Sequence, residues 1–194
     1  MESHQRSGFQ LFVNSRERIL AAINHQWVDR VPIDFGGTRQ SGISVWAYAR
    51  LRKHLGLDTH RPPRGLDWIH ANTSWKVMLH SDGALAPLLP SIIEMGIDIL
   101  NPVQTSAAGM EPHQLKREFG AQLVFWGGSC DAQSTFAHGT PEQVAAETEA
   151  NLEAFIPGSG YVCAPIHNIR ANVPAENIVA LFQTALNFRI KDSH

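Results

Sequence analysis

Asp98-Ile-Leu-Asn-Pro-Val103, Leu123-Val-Phe-Trp126 and Gly160-Tyr-Val-Cys-Ala-Pro165 are three short apolar runs, and what lies between them decides the fold. Between the first and second runs, His113 to Phe119 reads as a short helix closed by Gly120. Between the second and third, Thr140-Pro-Glu-Gln supplies an N-cap, a proline in the first turn and an early acid, opening a helix to about Phe155. Runs that are apolar throughout, rather than alternating, predict parallel strands covered by helices on both faces.

The same rhythm extends in both directions. Trp75-Lys-Val-Met-Leu-His80 is a further strand, followed by a mostly helical Leu85 to Met95, and Pro174-Ala-Glu-Asn starts a last helix through Phe188. That makes four consecutive strand–helix units, which right-handed crossovers stack into a doubly wound sheet or an arc of a barrel. Upstream, Asp58 to Gly65 is rich in Pro and Arg and reads as a linker. Before it, Ser15 caps a helix over Arg16 to His25 whose Ile19, Leu20 and Ile23 form one stripe. Arg30-Val-Pro-Ile-Asp-Phe35 is a short strand ending in Gly36-Gly37, and Trp46 to Leu55 is a second helix with Gly56 at C′. Residues 1–14 read as a loose leader.

Composition narrows the function. The chain has 194 residues, 16 Lys and Arg against 18 Asp and Glu, five Trp and nine Phe. A net charge of −2 without a basic cluster excludes a nucleic-acid footprint, and the aromatic content with no long charge run argues against disorder. Cys130 and Cys163 cannot build a disulfide framework. The start, MESHQRSGFQLFVNSRER, has no apolar signal core, and the apolar stretch from Gly83 to Val103 carries Pro87, Pro90, Glu94 and Asp98. The expectation is a cytoplasmic protein that handles a small-molecule substrate, with no nucleic acid and no membrane.

In parallel α/β folds chemistry gathers beyond the C-terminal strand ends. Here those ends carry His80-Ser-Asp82-Gly83, Asn101-Pro-Val-Gln104, Gly127-Gly-Ser-Cys-Asp131 and His167-Asn168, while the N-terminal strand adds Asp34. Four parallel strands would bring these groups to one rim. His80 and Asp82, two apart on an extended segment, point the same way and can share a metal ion, with His167 as a third ligand. The bland alternative makes Asp82 a helix cap and His80 an ordinary hydrogen-bonding group. Proton transfer by either histidine fits both readings. Gly127-Gly128 can admit a ligand's phosphate to backbone N–H groups or can be a plain tight turn. Cys130 is either a ligand or a free thiol, Cys163 reads as core, and the tryptophans read as packing.

Several of these stretches resemble uroporphyrinogen decarboxylase (URO-D)-like proteins. They are Ser15-Arg-Glu-Arg-Ile-Leu20, Arg30-Val-Pro-Ile-Asp-Phe-Gly-Gly37, Ala47-Tyr-Ala-Arg-Leu-Arg52, Leu79-His-Ser-Asp-Gly83 and Gly96-Ile-Asp-Ile-Leu-Asn-Pro-Val-Gln104. Leu115-Lys-Arg-Glu-Phe-Gly120, Phe125-Trp-Gly-Gly128, Ala164-Pro-Ile-His-Asn-Ile169 and Pro174-Ala-Glu-Asn177 continue the match in order. The resemblance implies a (β/α)8 TIM-type barrel and one of two chemistries. Some members are decarboxylases of porphyrin biosynthesis that need no cofactor. Others are corrinoid-dependent methyltransferases that use zinc to activate a thiol, and the chain looks closer to these. Their ligands are a His-x-Cys pair and a later Cys: His80 matches the first, Asp82 stands in place of the second, and His167 falls at or near the third. The resemblance thus implies a metal held by His80, Asp82 and His167 and catalytic roles for His80 and His167; Asp34 joins the catalytic candidates, and Cys130 the ligand candidates, from their places at the strand ends alone. Substrate contacts would come from Asn101, Gln104, Gly127, Gly128 and Asn168. A corrinoid would arrive on a partner protein.

Against a complete barrel of about 250 residues, the chain is short. It reads as a partial (β/α)8 barrel in one domain: an N-terminal helix–strand–helix piece over 1–57, a linker over 58–74 where middle strands are missing, and a C-terminal half-barrel over 75–194. A half-barrel leaves strand edges and part of its inner face open. Either two copies close the sheet, or the N-terminal elements fold over the open parts, or the fold is marginal. Self-association through exposed edges is the expectation, and an inactive truncated fragment is the alternative to an enzyme.

Overall fold

The computed structural model describes residues 14–35, 42–43, 45–57 and 76–190. The four apolar runs form a parallel sheet of β1 (Met78–His80), β2 (Ile99–Asn101), β3 (Val124–Trp126) and β4 (Tyr161–Val162), ordered β1-β2-β3-β4. The register sets His80 beside Asn101, Ile99 beside Val124, and Trp126 beside Val162. Every crossover therefore steps to the next neighbour in the same direction. A doubly wound sheet reverses at a switch point, so this order is an arc of a TIM-type barrel. The strands are shorter than the apolar runs. Pro102 has no N–H to carry β2 past Asn101, and beyond Val162 the chain turns its pairing to another segment.

That segment comes from the N-terminus. Ile33 bridges Cys163 in parallel, with Asp34 N–H donating to Cys163 O at 2.9 Å and Cys163 N–H to Pro32 O at 2.8 Å. A second parallel bridge joins Ile43 to Ile169. The N-terminal piece thus covers the β4 edge. The expected linker and the missing middle strands lie outside the described residues. On the other side, no described residue pairs with the outer edge of β1, and Val77 just before it is 53% exposed.

Side-chain caps set several of the helix starts. α1 (Ser15–Ile23) is capped by Asn14 and not by Ser15. Asn14 and Glu17 close a reciprocal capping box, whereas the residue three beyond Ser15 is Arg18, whose guanidinium is committed to Asp29 at 2.6 and 2.8 Å. α2 (Val45–His54) packs on the last helix. A 3-10 turn, Ala86–Leu88, leads into α3 (Leu89–Glu94), and α4 (Pro112–Phe119) follows β2. α5 (Thr135–His138) is a four-residue turn that periodicity does not reveal; the Asn177 amide holds it by donating to Phe136 O and Gly139 O. α6 (Pro141–Phe155), with its Thr140–Gln143 capping box, packs against α7 (Ala175–Asn187).

Alternation along the strands separates two faces. Leu100, Phe125, Tyr161 and Cys163 point outward into the main core with Leu115, Leu152, Phe155 and Leu181 from the helices. Ile99, Val124, Trp126 and Val162 point inward, where Ala22 and Ile23 of α1 and Val28 cover them. His80 and Asn101 share the inward parity of Met78 and Ile99, at the C-terminal end of the arc. No helix among the described residues is long and apolar enough to cross a membrane.

Candidate functional site

The rim is built by the last residue of each strand and the loop after it. β1 delivers His80, and the chain then turns through Ser81 and Asp82 to Gly83, whose φ of 95° is a left-handed conformation that favours glycine. Gln104, from the loop after β2, braces that turn by accepting from Gly83 N–H at 3.0 Å. His167 lies in the loop after β4. Its Nε2 is 2.8 Å from Asp82 Oδ2, and its ring stands 5.8 Å from the His80 ring at 67°. One ligand atom each from His80, Asp82 and His167 lies within 4.8 Å of the other two. His80 and Asp82 are exposed and His167 is half-buried, so the group faces solvent.

Beneath it lies a hydrogen-bonded layer on the inward face. His80 Nδ1 is 2.7 Å from Asn101 Oδ1, and Asn101 Nδ2 donates to Trp126 O at 3.1 Å. The Trp126 indole Nε1 donates to Asp34 Oδ2 at 3.0 Å. Asn101 and Asp34 are 3% and 4% exposed, so both act from below the rim. Trp126 is the member that sequence reading misses, because a tryptophan at a strand end looks like packing. Its register between Asn101 and the N-terminal segment is the signal that finds it.

Other candidates lie elsewhere. Gly127 and Gly128 are buried with φ of 96° and 82°, and Gly127 N–H is spent on Val162 O at 3.0 Å. A Cβ on Gly128 would stand 2.7 Å from Val103 O, so the pair answers a close approach of neighbouring strand ends. Cys130 does not join the rim group. It is fully buried, and burial together with the adjacent Glu147 carboxylate pushes its thiol well above the usual range, which disfavours the thiolate a metal needs. Asn168 is exposed beside His167.

A groove of about 910 Å³ lies away from this rim. Its walls include Trp27, Val28, Ser159 and Tyr161, which come from segments entering the strands, so it opens at the N-terminal end of the arc. The converging imidazoles and carboxylate lie at the rim and not in this groove.

A family model described as Uroporphyrinogen decarboxylase (URO-D) matches residues 64–188. Comparison with curated proteins gives no match.

Proposed function

The chain belongs to the uroporphyrinogen decarboxylase family, and from that premise we propose that its rim is a metal-assisted methyl-transfer site related to the corrinoid-dependent branch. The observation that carries this is the approach of one ligand atom each from His80, Asp82 and His167 to within 4.8 Å. Two imidazoles and one carboxylate form a three-ligand set that suits zinc with an open fourth position. The donor set therefore fits the ion. A bound zinc would act as a Lewis acid, favouring the deprotonated form of a thiol acceptor. His80, Asp82 and His167 would hold the ion, one atom from each, with the 2.8 Å Asp82–His167 contact giving way to ligation. Asn168, exposed beside His167, would meet substrate, and Asp34 accepts from Trp126 in the layer below. The methyl group would come from a corrinoid carried by a partner protein.

A second reading rests on the same 2.8 Å pair. His167 protonated beside Asp82 could donate to the carbon left with an electron pair when a carboxylate departs as CO₂, which is the cofactor-free decarboxylation of porphyrin biosynthesis. The two readings separate in one experiment on the full chain. Methyl loss from methylcobalamin in the presence of a thiol, stopped by chelator and by His80→Ala, supports methyl transfer. Release of CO₂ from uroporphyrinogen, indifferent to chelator, supports the second. Neither turnover, with ligand-induced stabilisation alone, identifies a binding-only fragment.

A further inference from the structure

We propose that Asn101 is the positioning residue of the rim site: it fixes His80 as the Nδ1–H tautomer and leaves Nε2 bare for whatever the rim binds. Only the use made of that bare nitrogen rests on the metal reading above. The assignment of hydrogens follows from chemistry. Asn101 is 3% exposed, and a buried amide spends both its ends. Its neighbour at 3.1 Å is the Trp126 carbonyl, which can only accept, so the amide NH₂ faces Trp126. Oδ1 therefore faces His80 Nδ1 at 2.7 Å. That oxygen can only accept in turn, so Nδ1 carries the hydrogen and the lone pair of the neutral ring is on Nε2.

The lock is rigid because each member is held from behind. His80 and Asn101 are paired in register at the ends of adjacent strands. Trp126 is paired with Val162, and its indole is pinned to Asp34 at 3.0 Å. Turning the Asn101 amide over would set NH₂ against His80 and oxygen against the Trp126 carbonyl. Neither amide end is free to bind a substrate, which distinguishes this role from the substrate contact expected of a polar strand end. His80 itself is exposed, so packing alone does not choose its tautomer. Partners of this kind behind a ligating histidine are worth roughly 10–100-fold in metal affinity.

Two readouts on the full chain test it. Long-range proton–nitrogen correlation spectra of the metal-free protein, recorded at mildly alkaline pH, report which ring nitrogen of His80 carries hydrogen; a His80→Gln variant identifies the signal. The wild type should show hydrogen on Nδ1. Asn101→Asp, which keeps an acceptor for His80, should preserve that tautomer, and Asn101→Leu should release it. Zinc competition should then weaken roughly 10–100-fold in Asn101→Leu and stay within a few-fold in Asn101→Asp. Hydrogen on Nε2 in the wild type overturns the proposal, whether or not the leucine variant folds. So does an Asn101→Leu variant with unchanged tautomer and unchanged affinity. A locked tautomer in a wild type that binds no zinc upholds the positioning role and removes the metal reading instead.

Discussion

His80 Nδ1 and Asn101 Oδ1 face each other at 2.7 Å across the paired ends of β1 and β2. The contact ties an exposed imidazole to a buried amide, and through it to Trp126 and Asp34 on the inward face of the arc. Strand register thereby becomes site geometry. A one-residue slip between β1 and β2 would turn one partner to the opposite face of the sheet.

The glycine at the β3 exit is a steric requirement with a measurable cost. At Gly128 a Cβ would stand 2.7 Å from Val103 O on a backbone with φ of 82°. Gly128→Ala should lose about 3 kcal/mol in urea unfolding, combining left-handed strain with overpacking. Gly83 also has positive φ but meets nothing within 4 Å, so Gly83→Ala should lose only about 1 kcal/mol. Equal losses would contradict this account of Gly128.

The two thiols should be inert. Burial raises both, Cys163 to about 12, and both residues are fully buried. A thiol-specific disulfide reagent should label neither Cys130 nor Cys163 in the native protein at mildly alkaline pH, and both in denaturant. Rapid native labelling of Cys130 would return it to the candidate ligands.

Lys116 should leave a pH signature on stability. Burial pulls its ammonium down to about 8 from 10.5, while it donates to Ser159 O. Below about pH 8 both folded and unfolded chains hold the proton and the burial penalty is complete. Between there and 10.5 the unfolded chain binds more protons, so this group makes stability rise with pH. Tyr161 and Cys163, raised by burial, act in the opposite sense at high pH. Comparison with Lys116→Met isolates the lysine: the wild type should gain on the variant as pH rises through this window. A constant difference would contradict it.

The outer edge of β1 has no partner among the described residues. We propose that it mediates association between copies of the chain, since an unpaired strand edge is a pairing template. Sedimentation should show a species larger than the monomer, and Val77→Lys should shift it toward the monomer. A wild-type monomer at all concentrations would rule this association out.

Much of this organisation is legible in the residues themselves. The four continuous apolar runs and the Thr140-Pro-Glu-Gln start are local signals, and the strands and α6 fall where those signals sit. His80, Asp82 and His167 can be named because parallel strands deliver their ends to one rim, although His167 is 85 residues from Asp82. What local signals cannot carry is register. The Trp126–Asp34 hydrogen bond spans 92 residues, and it exists only because Ile33 pairs beside Cys163. Capping competition is similarly hidden: Ser15 looks like a cap until Arg18 is seen committed to Asp29 and Asn14 closed with Glu17. The burial of Cys130 follows from close packing of loops after the strands, which a loop cysteine does not announce.

Zinc binding by the full chain tests the central claim most directly. Competition with a chromophoric chelator should show one zinc per chain in the wild type, and affinity should fall at least about a hundredfold in His80→Ala, Asp82→Ala and His167→Ala, since each would remove one of the three proposed ligands. Cys130→Ala should bind as the wild type does. A wild type that takes up no zinc, or His80→Ala and His167→Ala variants that bind it undiminished, would contradict a metal site at this rim.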